Sequence, residues 1–256
     1  MRDIIIIKIG GKILEQKTKL KPLFKEIVLL KRFYFIVVHG GGERISSLMD
    51  ALKVPVRFVH GQRYTDQQTL NIVQQVLLGE VNPFLVDLFN SIRKKAIGVS
   101  GKDAGFVEVK KLKPDLGYVG AIKSINKVFL FGLLREGYVP IIAPIGNNLK
   151  GITYNINADL FASAIASLLK AEKLFLFTDV GGVKKDKKVI AQLNRKDAYS
   201  LMNKHVISSG MIPKVRASLK ALDNGVKDVY ILKPSKGVLK KILVNKEVYG
   251  TRVLNS

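Results

Sequence analysis

The chain contains no cysteine. Disulfides, thiolate zinc sites, iron–sulfur clusters and a cysteine nucleophile are therefore excluded together. Histidine is nearly as scarce. The three present, His39, His60 and His205, show no metal-ligand spacing, so any metal should be a hard ion on carboxylate and phosphate oxygens. No apolar run reaches the roughly 18 residues of a membrane span, and no membrane partner is expected. The N-terminus passes from one arginine straight into an isoleucine run, without the apolar core and cleavage site of a signal peptide. The expected compartment is the cytoplasm. Acidic residues are also few: 20 Asp and Glu stand against 43 Lys and Arg, a formal charge of +23. The basic residues are spread along nearly the whole sequence. Their densest runs, Lys184-Lys185-Asp186-Lys187-Lys188 and Lys110-Lys111-Leu112-Lys113, look like loop tips. No nucleic-acid motif or stacking platform accompanies them, and Lys outnumbers Arg about three to one. The charge reads first as solvated surface, then as steering of small anionic substrates, and last as a polyanion site. No nucleic-acid partner is expected.

What is present is a regular alternation of strand and helix signals, which predicts an α/β fold: an open, mainly parallel sheet sandwiched by helices. Residues 3–9 form an unbroken β-branched run, 20–32 carry helical spacing, and 33–38 are a second strand ending at Gly40-Gly41-Gly42. Helices are predicted over 43–52, 66–79 and 82–94, then a strand at 96–99. Two alternating runs between 105 and 125 flank a Lys/Pro/Asp turn and predict a β-hairpin insertion. The rhythm resumes with helix 126–136, strand 138–143, helix 157–170 and strand 173–178. Helices near 195–203 and 211–224 and strands at 227–232 and 248–254 complete it. At 256 residues the chain is expected to form one compact two-lobed domain, 1–170 and 171–256.

Several positions carry chemistry. Lys8 ends a buried strand, where an ammonium group is costly without an anion or a cleft, and Gly10 and Gly11 behind it leave bare backbone for a ligand. A snorkelling lysine is the plainer reading. The glycine loop 40–42 joins a strand to a helix start and can present N–H groups to an anion. His39 beside it reads as packed and hydrogen-bonded rather than catalytic. Arg63 suits a carboxylate in bidentate contact, or equally a surface salt bridge. Asn155-Ile156-Asn157-Ala158-Asp159 opens a helix, so Asn157 or Asp159 is its cap. Two amides and a carboxylate exceed what one cap needs. Thr178-Asp179-Val180-Gly181-Gly182-Val183 ends a strand, the usual address of a ligand in an open sheet. Ser100-Gly101-Lys102-Asp103 is no P-loop, since its glycine spacing is wrong and Asp103 stands where Ser or Thr must bind magnesium. It reads as a turn with a charged pair.

Together these segments resemble the amino acid kinase family. The matching stretches are KIGGK (8–12), VVHGGG (37–42), GQRYTDQQTL (61–70), GEVN (79–82), GVSGKD (98–103), DLGYVG (115–120), PIIAPIG (140–146), YNINAD (154–159), AEKLFLFTDVGGV (171–183), GMIPKV (210–215) and YGTRV (249–253). The resemblance implies transfer of the γ-phosphoryl of ATP, with Mg²⁺ riding on its oxygens and no protein metal site, to the side-chain carboxylate of N-acetylglutamate. Lys8 and Lys214 would stabilise the transferring group and Asp159 would orient both. Gly41, Gly42, Arg63 and Asn155 would hold the acceptor, in an N-terminal lobe that also dimerises. Gly10 and Gly11 would line the phosphate path. Asp179, Val180, Gly181, Gly182, Val183 and Lys184, with Val206, Ile207 and Ser208, would border ATP in the C-terminal lobe.

Gln62, Pro83 and Lys233-Pro234-Ser235 depart from the family pattern. The chain begins at its first strand, without the N-terminal helix of arginine-inhibited hexameric members. The expectation is an arginine-insensitive homodimer joined through the apolar face of helix 66–79. One alternative is a kinase for carrier-protein-bound aminoadipate or glutamate. A weaker one is a non-catalytic nucleotide or nucleic-acid binder.

Overall fold

The computed structural model describes residues 2–59, 61–113, 115–208 and 210–255, so His60 lies outside the described residues. Its large sheet has eight strands, numbered here in chain order: β1 (Asp3–Ile9), β2 (Phe33–His39), β3 (Ala96–Ser100), β4 (Val139–Ala143), β5 (Lys173–Phe177), β6 (Gln192–Leu193), β7 (Asp228–Leu232) and β8 (Thr251–Val253). They lie in the order β6-β8-β7-β5-β1-β2-β4-β3. β7, β5 and β1 are parallel to one another, as are β2, β4 and β3, and β8 turns antiparallel to β7. Helices flank the sheet, as the alternation predicts.

The chain divides into two compact units, one formed by Met1–Ile36 with Ala162–Ser256, the other by Val37–Phe161. Residues 1–36 thus group with residues 162–256.

In the first unit, β1 and β5 are central because they are apolar on both faces. Ile5, Ile6, Ile7, Phe175 and Leu176 are fully buried, the composition a doubly covered parallel strand requires. The strand roots are tied by charge. Lys173 on β5 donates to Asp228 on β7, and Arg252 on β8 donates to the same carboxylate through Nε at 2.7 Å. Burial alone would raise the pKa of Asp228. The hydrogen bonds from Lys173 and Arg252 outweigh it and hold the carboxyl below its usual range. A depressed carboxyl pKa contributes stability that is present above its unfolded value and lost as pH falls through the folded one. Asp228→Asn is expected to cost about 3 kcal/mol by leaving Lys173 buried without its countercharge. That corresponds to a fall in Tm of about 6–12 °C, which calorimetry can check, with the difference from the parent shrinking at acid pH.

The helix predicted at 20–32 runs Lys17–Leu29. It ends because Leu30 leaves the helical region, and β2 needs the next residues. Glu26 on this helix reaches 211 residues along the chain to accept the Gly237 N–H, and it caps a short helix, Val238–Leu243, that periodicity did not predict.

In the second unit the hairpin insertion is present as Val107–Lys111 paired antiparallel with Gly120–Ile125. It belongs to a four-stranded sheet with an unforeseen hairpin, Ile145–Asn147 and Thr153–Asn155. The two helices predicted at 66–79 and 82–94 are one continuous stretch: α-helical Gln67–Gln74, π-helical Gln75–Val81 and α-helical Asn82–Asn90. Pro83 explains the change of pitch. It has no N–H to donate back into the ladder, and at the junction the Asn82 N–H reaches five residues back to Leu77 O. The 24-residue stretch has the length and hydropathy of a membrane span. Most of its apolar side chains, including Leu70, Val73, Val76, Leu77, Leu85 and Phe89, are nevertheless buried in the core. The apolar face expected to join two subunits is therefore already used, and what this helix exposes is polar: Gln67, Gln68, Asn71 and Gln75.

Candidate active site

In the first unit Lys8, Gly10 and the turn 178–184 lie at the C-terminal ends of two paired strands. Lys8 lies opposite Leu176 in the parallel register of β1 and β5. Gly10 and the turn 178–184 are therefore neighbours at one end of the sheet, where open α/β folds bind ligands. Lys8 is only 6% exposed. Its ammonium lies against the next turn, since a Cβ on Gly10 would sit 2.4 Å from Lys8 Nζ. Gly10 has extended backbone (φ −160°), so this space requirement is its reason for being glycine. Gly11, at φ +58°, opens a short 3₁₀ turn.

In the 178–184 turn, Thr178 Oγ1 donates to Asp179, while Asp179 and Val180 are exposed. Gly181 and Gly182 both have positive φ, and a Cβ on Gly182 would meet Thr251 Oγ1 at 2.7 Å. Thr251 Oγ1 accepts from the Val183 N–H at 2.9 Å. Lys184 and Lys185 then pair with Lys188 and Val189 around Asp186 and Lys187, both with positive φ, as a type I′ hairpin turn demands. Val206 and Ser208 are exposed, whereas Ile207 is buried and its N–H donates to Leu201 O. Lys214 is half-buried in the first turns of helix Met211–Asp223, which packs on β5, β7 and β8.

In the second unit one hydrogen-bond chain links Gly42, Arg63 and Asn155. Arg63 Nη2 donates to Gly42 O at 3.1 Å and to Ser46 Oγ at 2.8 Å, and Nη1 donates to Met49 Sδ at 3.2 Å. The guanidinium lies over the Phe58 ring. Burial lowers its pKa while Asp50 raises it, and it remains a cation at neutral pH. The surface salt bridge allowed by the sequence is not what forms: Arg63 is 8% exposed and these three bonds end on neutral atoms. Thr65 Oγ1 donates to Arg63 O and accepts from Asn155 Nδ2 at 3.3 Å. Gly42, Arg63 and Asn155 are thereby brought together through Thr65, just ahead of the helix Gln67–Gln74, whose cap is the next residue. Asp66 takes that task, accepting from the Thr69 N–H at 2.8 Å.

Asn157, not Asp159, caps the next helix, with its Oδ1 accepting from the N–H groups of Asp159 and Leu160. The Asp159 carboxylate, on a residue 4% exposed, is thus spared from capping. His39 is packed and hydrogen-bonded, as the sequence suggested, between Gly40 O and Asn82. The turn at 100–103 is closed differently from expectation. Asp103 accepts from the Ser100 N–H and hydroxyl, and Lys102 turns to Gln74.

A sheet-end lysine over bare backbone, a glycine loop at a helix start and a buried arginine define an anion-handling α/β protein. The chain belongs to the amino acid kinase family, whose model matches residues 3–233. It is 42% identical over 257 residues to the acetylglutamate kinase of Kosmotoga olearia, covering 98% of this chain and 90% of the relative. To the acetylglutamate kinase of Syntrophus aciditrophicus it is 41% identical over 245 residues, covering 89% and 82%. Among solved structures, smu.665 from Streptococcus mutans superposes with a TM-score of 0.83 at 30% identity over 100% of both chains.

Proposed function

We propose that the protein transfers the γ-phosphoryl group of ATP to the side-chain carboxylate of N-acetyl-L-glutamate, forming N-acetylglutamyl 5-phosphate for arginine biosynthesis. The observation that carries the reading is the near-full-length identity to acetylglutamate kinases. It also favours the free acetylated amino acid over a carrier-bound aminoadipate or glutamate, and a working enzyme over a non-catalytic binder.

A carboxylate oxygen attacks the γ-phosphorus, the bond to the β,γ-bridging oxygen breaks, and ADP leaves with that electron pair. The nucleophile is already ionised at neutral pH, so the chain contributes position and charge rather than a covalent intermediate. Lys8 and Lys214 neutralise the equatorial oxygens of the transferring group, and Asp159 keeps the orienting role the family resemblance gives it. Gly10 and Gly11 line the phosphate path. Loop residues Gly41 and Gly42, with Arg63 and Asn155, hold the acceptor, with Arg63 on a carboxylate. The exposed turn Asp179–Lys184 and residues 206–208 border the nucleotide. The donor is MgATP, its ion carried by phosphate oxygens. We place the reaction in the cytoplasm and extend the reading to a homodimer. Light scattering that returned only a 28.4 kDa particle would refute the dimer.

Hydroxylamine trapping tests the chemistry. Hydroxamate should form with MgATP and N-acetylglutamate, and not with free glutamate or aminoadipate. A folded, ATP-binding protein that turned over none of these acids would move the acceptor to a carrier-bound form.

A further inference from the structure

The three carbonyl groups of the glycine loop are held from three directions. Gly40 O accepts from His39 Nδ1 at 3.1 Å, Gly41 O from the Ile45 N–H at 2.9 Å, and Gly42 O from Arg63 Nη2 at 3.1 Å. Of these holders, His39 has two ring nitrogens that can exchange roles, so something must fix which one carries the proton. Asn82 does so. Its Nδ2 lies 3.0 Å from His39 Nε2 and 2.9 Å from Ile141 O. A carbonyl oxygen only accepts, so Ile141 fixes the amide with its NH₂ group facing this way. The same NH₂ must then donate to His39 Nε2, which leaves the ring proton on Nδ1, where Gly40 O accepts it. The other neutral tautomer satisfies neither bond. His39 is fully buried, and desolvation lowers its pKa to about 4, so the neutral ring is the working form.

Two independent features converge on Asn82. The π-helical turn Gln75–Val81 leads directly into it, and such turns often mark functional positions. The same turn packs beneath the loop: a Cβ on Gly41 would lie 2.7 Å from Leu77 Cδ2 and 3.5 Å from Val81 Cγ2. On the other side, Gly98 makes room for the amide, since a Cβ there would meet Asn82 Oδ1 at 1.9 Å.

We propose that Asn82 is a positioning residue for acceptor binding: through His39 it sets the Gly40 carbonyl, and with Leu77 and Val81 it holds the glycine loop rigid before the acceptor arrives. The proposal rests on the placement of the acceptor at Gly41 and Gly42.

The test uses the full-length chain and five variants, Asn82→Leu, Gly98→Ala, His39→Asn, His39→Gln and Gly42→Ala. Steady-state constants are measured for both substrates, and ¹⁵N NMR reads the histidine tautomers. With only three histidines in the chain, the His39 signals are readily assigned. The parent should show a single Nδ1–H tautomer at His39. Asn82→Leu removes the donor to Nε2, so it should shift the Nε2 signal toward that of a nitrogen without a hydrogen bond and raise the KM for N-acetylglutamate about tenfold, with the KM for MgATP changed less than about twofold. Gly98→Ala, which pushes the amide from behind, should act in the same direction. His39→Asn keeps a donor near the Nδ1 position and should retain a lower KM than His39→Gln. If Asn82→Leu does not fold, Gly98→Ala and the His39 pair decide.

An unchanged KM for N-acetylglutamate in these variants, or equal rises for both substrates, overturns the proposal. Gly42→Ala separates the causes, because a methyl at Gly42 meets nothing within 4 Å in the chain itself. A rise with Gly42→Ala alone overturns the clamp and leaves the acceptor placement standing. No rise with any variant overturns both.

Discussion

Replacing Lys8 with alanine is expected to lower kcat about 10²- to 10³-fold, the scale of losing one preorganised electrostatic donor. Lys8 is 6% exposed at the end of β1, where water screens its charge poorly. Its position is set before substrate arrives, because the side chain folds back over Gly10. Charge that builds on the phosphoryl oxygens in the transition state therefore meets a cation that needs no rearrangement. Lys8→Met keeps the length of the stem and should lose as much activity as alanine, which separates charge from packing. Gly10→Ala should act in the same direction more weakly, about tenfold, since its methyl would displace the ammonium by a flexible end rather than remove it. Lys214→Ala should reduce kcat on the scale of Lys8→Ala. Single-turnover measurement of phosphoryl transfer is the right readout. A kcat unchanged in Lys8→Ala would remove this residue from the chemistry.

The second large effect is expected at Arg63. Alanine there should raise the KM for N-acetylglutamate about 10²-fold and leave the KM for MgATP within about threefold, as the loss of a buried, hydrogen-bonded charge predicts. The guanidinium is preorganised by Met49, Gly42 and Ser46 and stacked on Phe58. Both hydrogens of Nη2 are engaged, by Gly42 O and Ser46 Oγ. A carboxylate gains a two-pronged contact only by displacing one of those bonds, since every bidentate face of the group includes Nη2. Arg63→Lys should recover little, because one ammonium cannot reproduce the planar fork that ties the loop to the helix behind it. If MgATP binding weakened equally, the acceptor would not lie at this arginine.

Some of this was legible one residue at a time. The β-branched Ile4–Ile7 run reads as a buried strand, and a lysine directly behind it needs an anion or an opening to water. The triple glycine between strand and helix signals located the loop for a similar local reason. The family resemblance then supplied the chemistry that composition could not. Other features resisted sequence reading because their causes are not local. Periodicity stayed apolar across 67–90, so nothing in it revealed that Pro83 would force a π turn rather than a break. The hairpin at 145–155 is too short to show a strand period.

What the sequence by itself determined, then, is the strand–helix order, the buried strands, the places where bare backbone meets charge and the family they spell out. Each follows from propensity, spacing or motif within a few neighbouring residues. What only the tertiary structure decided is how those places are held. His39 and Asn82 are 43 residues apart, and Thr65 and Asn155 are 90 apart. Their partners are chosen by burial, because a polar group removed from water must find a partner wherever the fold brings one. Distance along the chain carries no signal of that choice, and so the residues that position the site emerge only once the chain is folded.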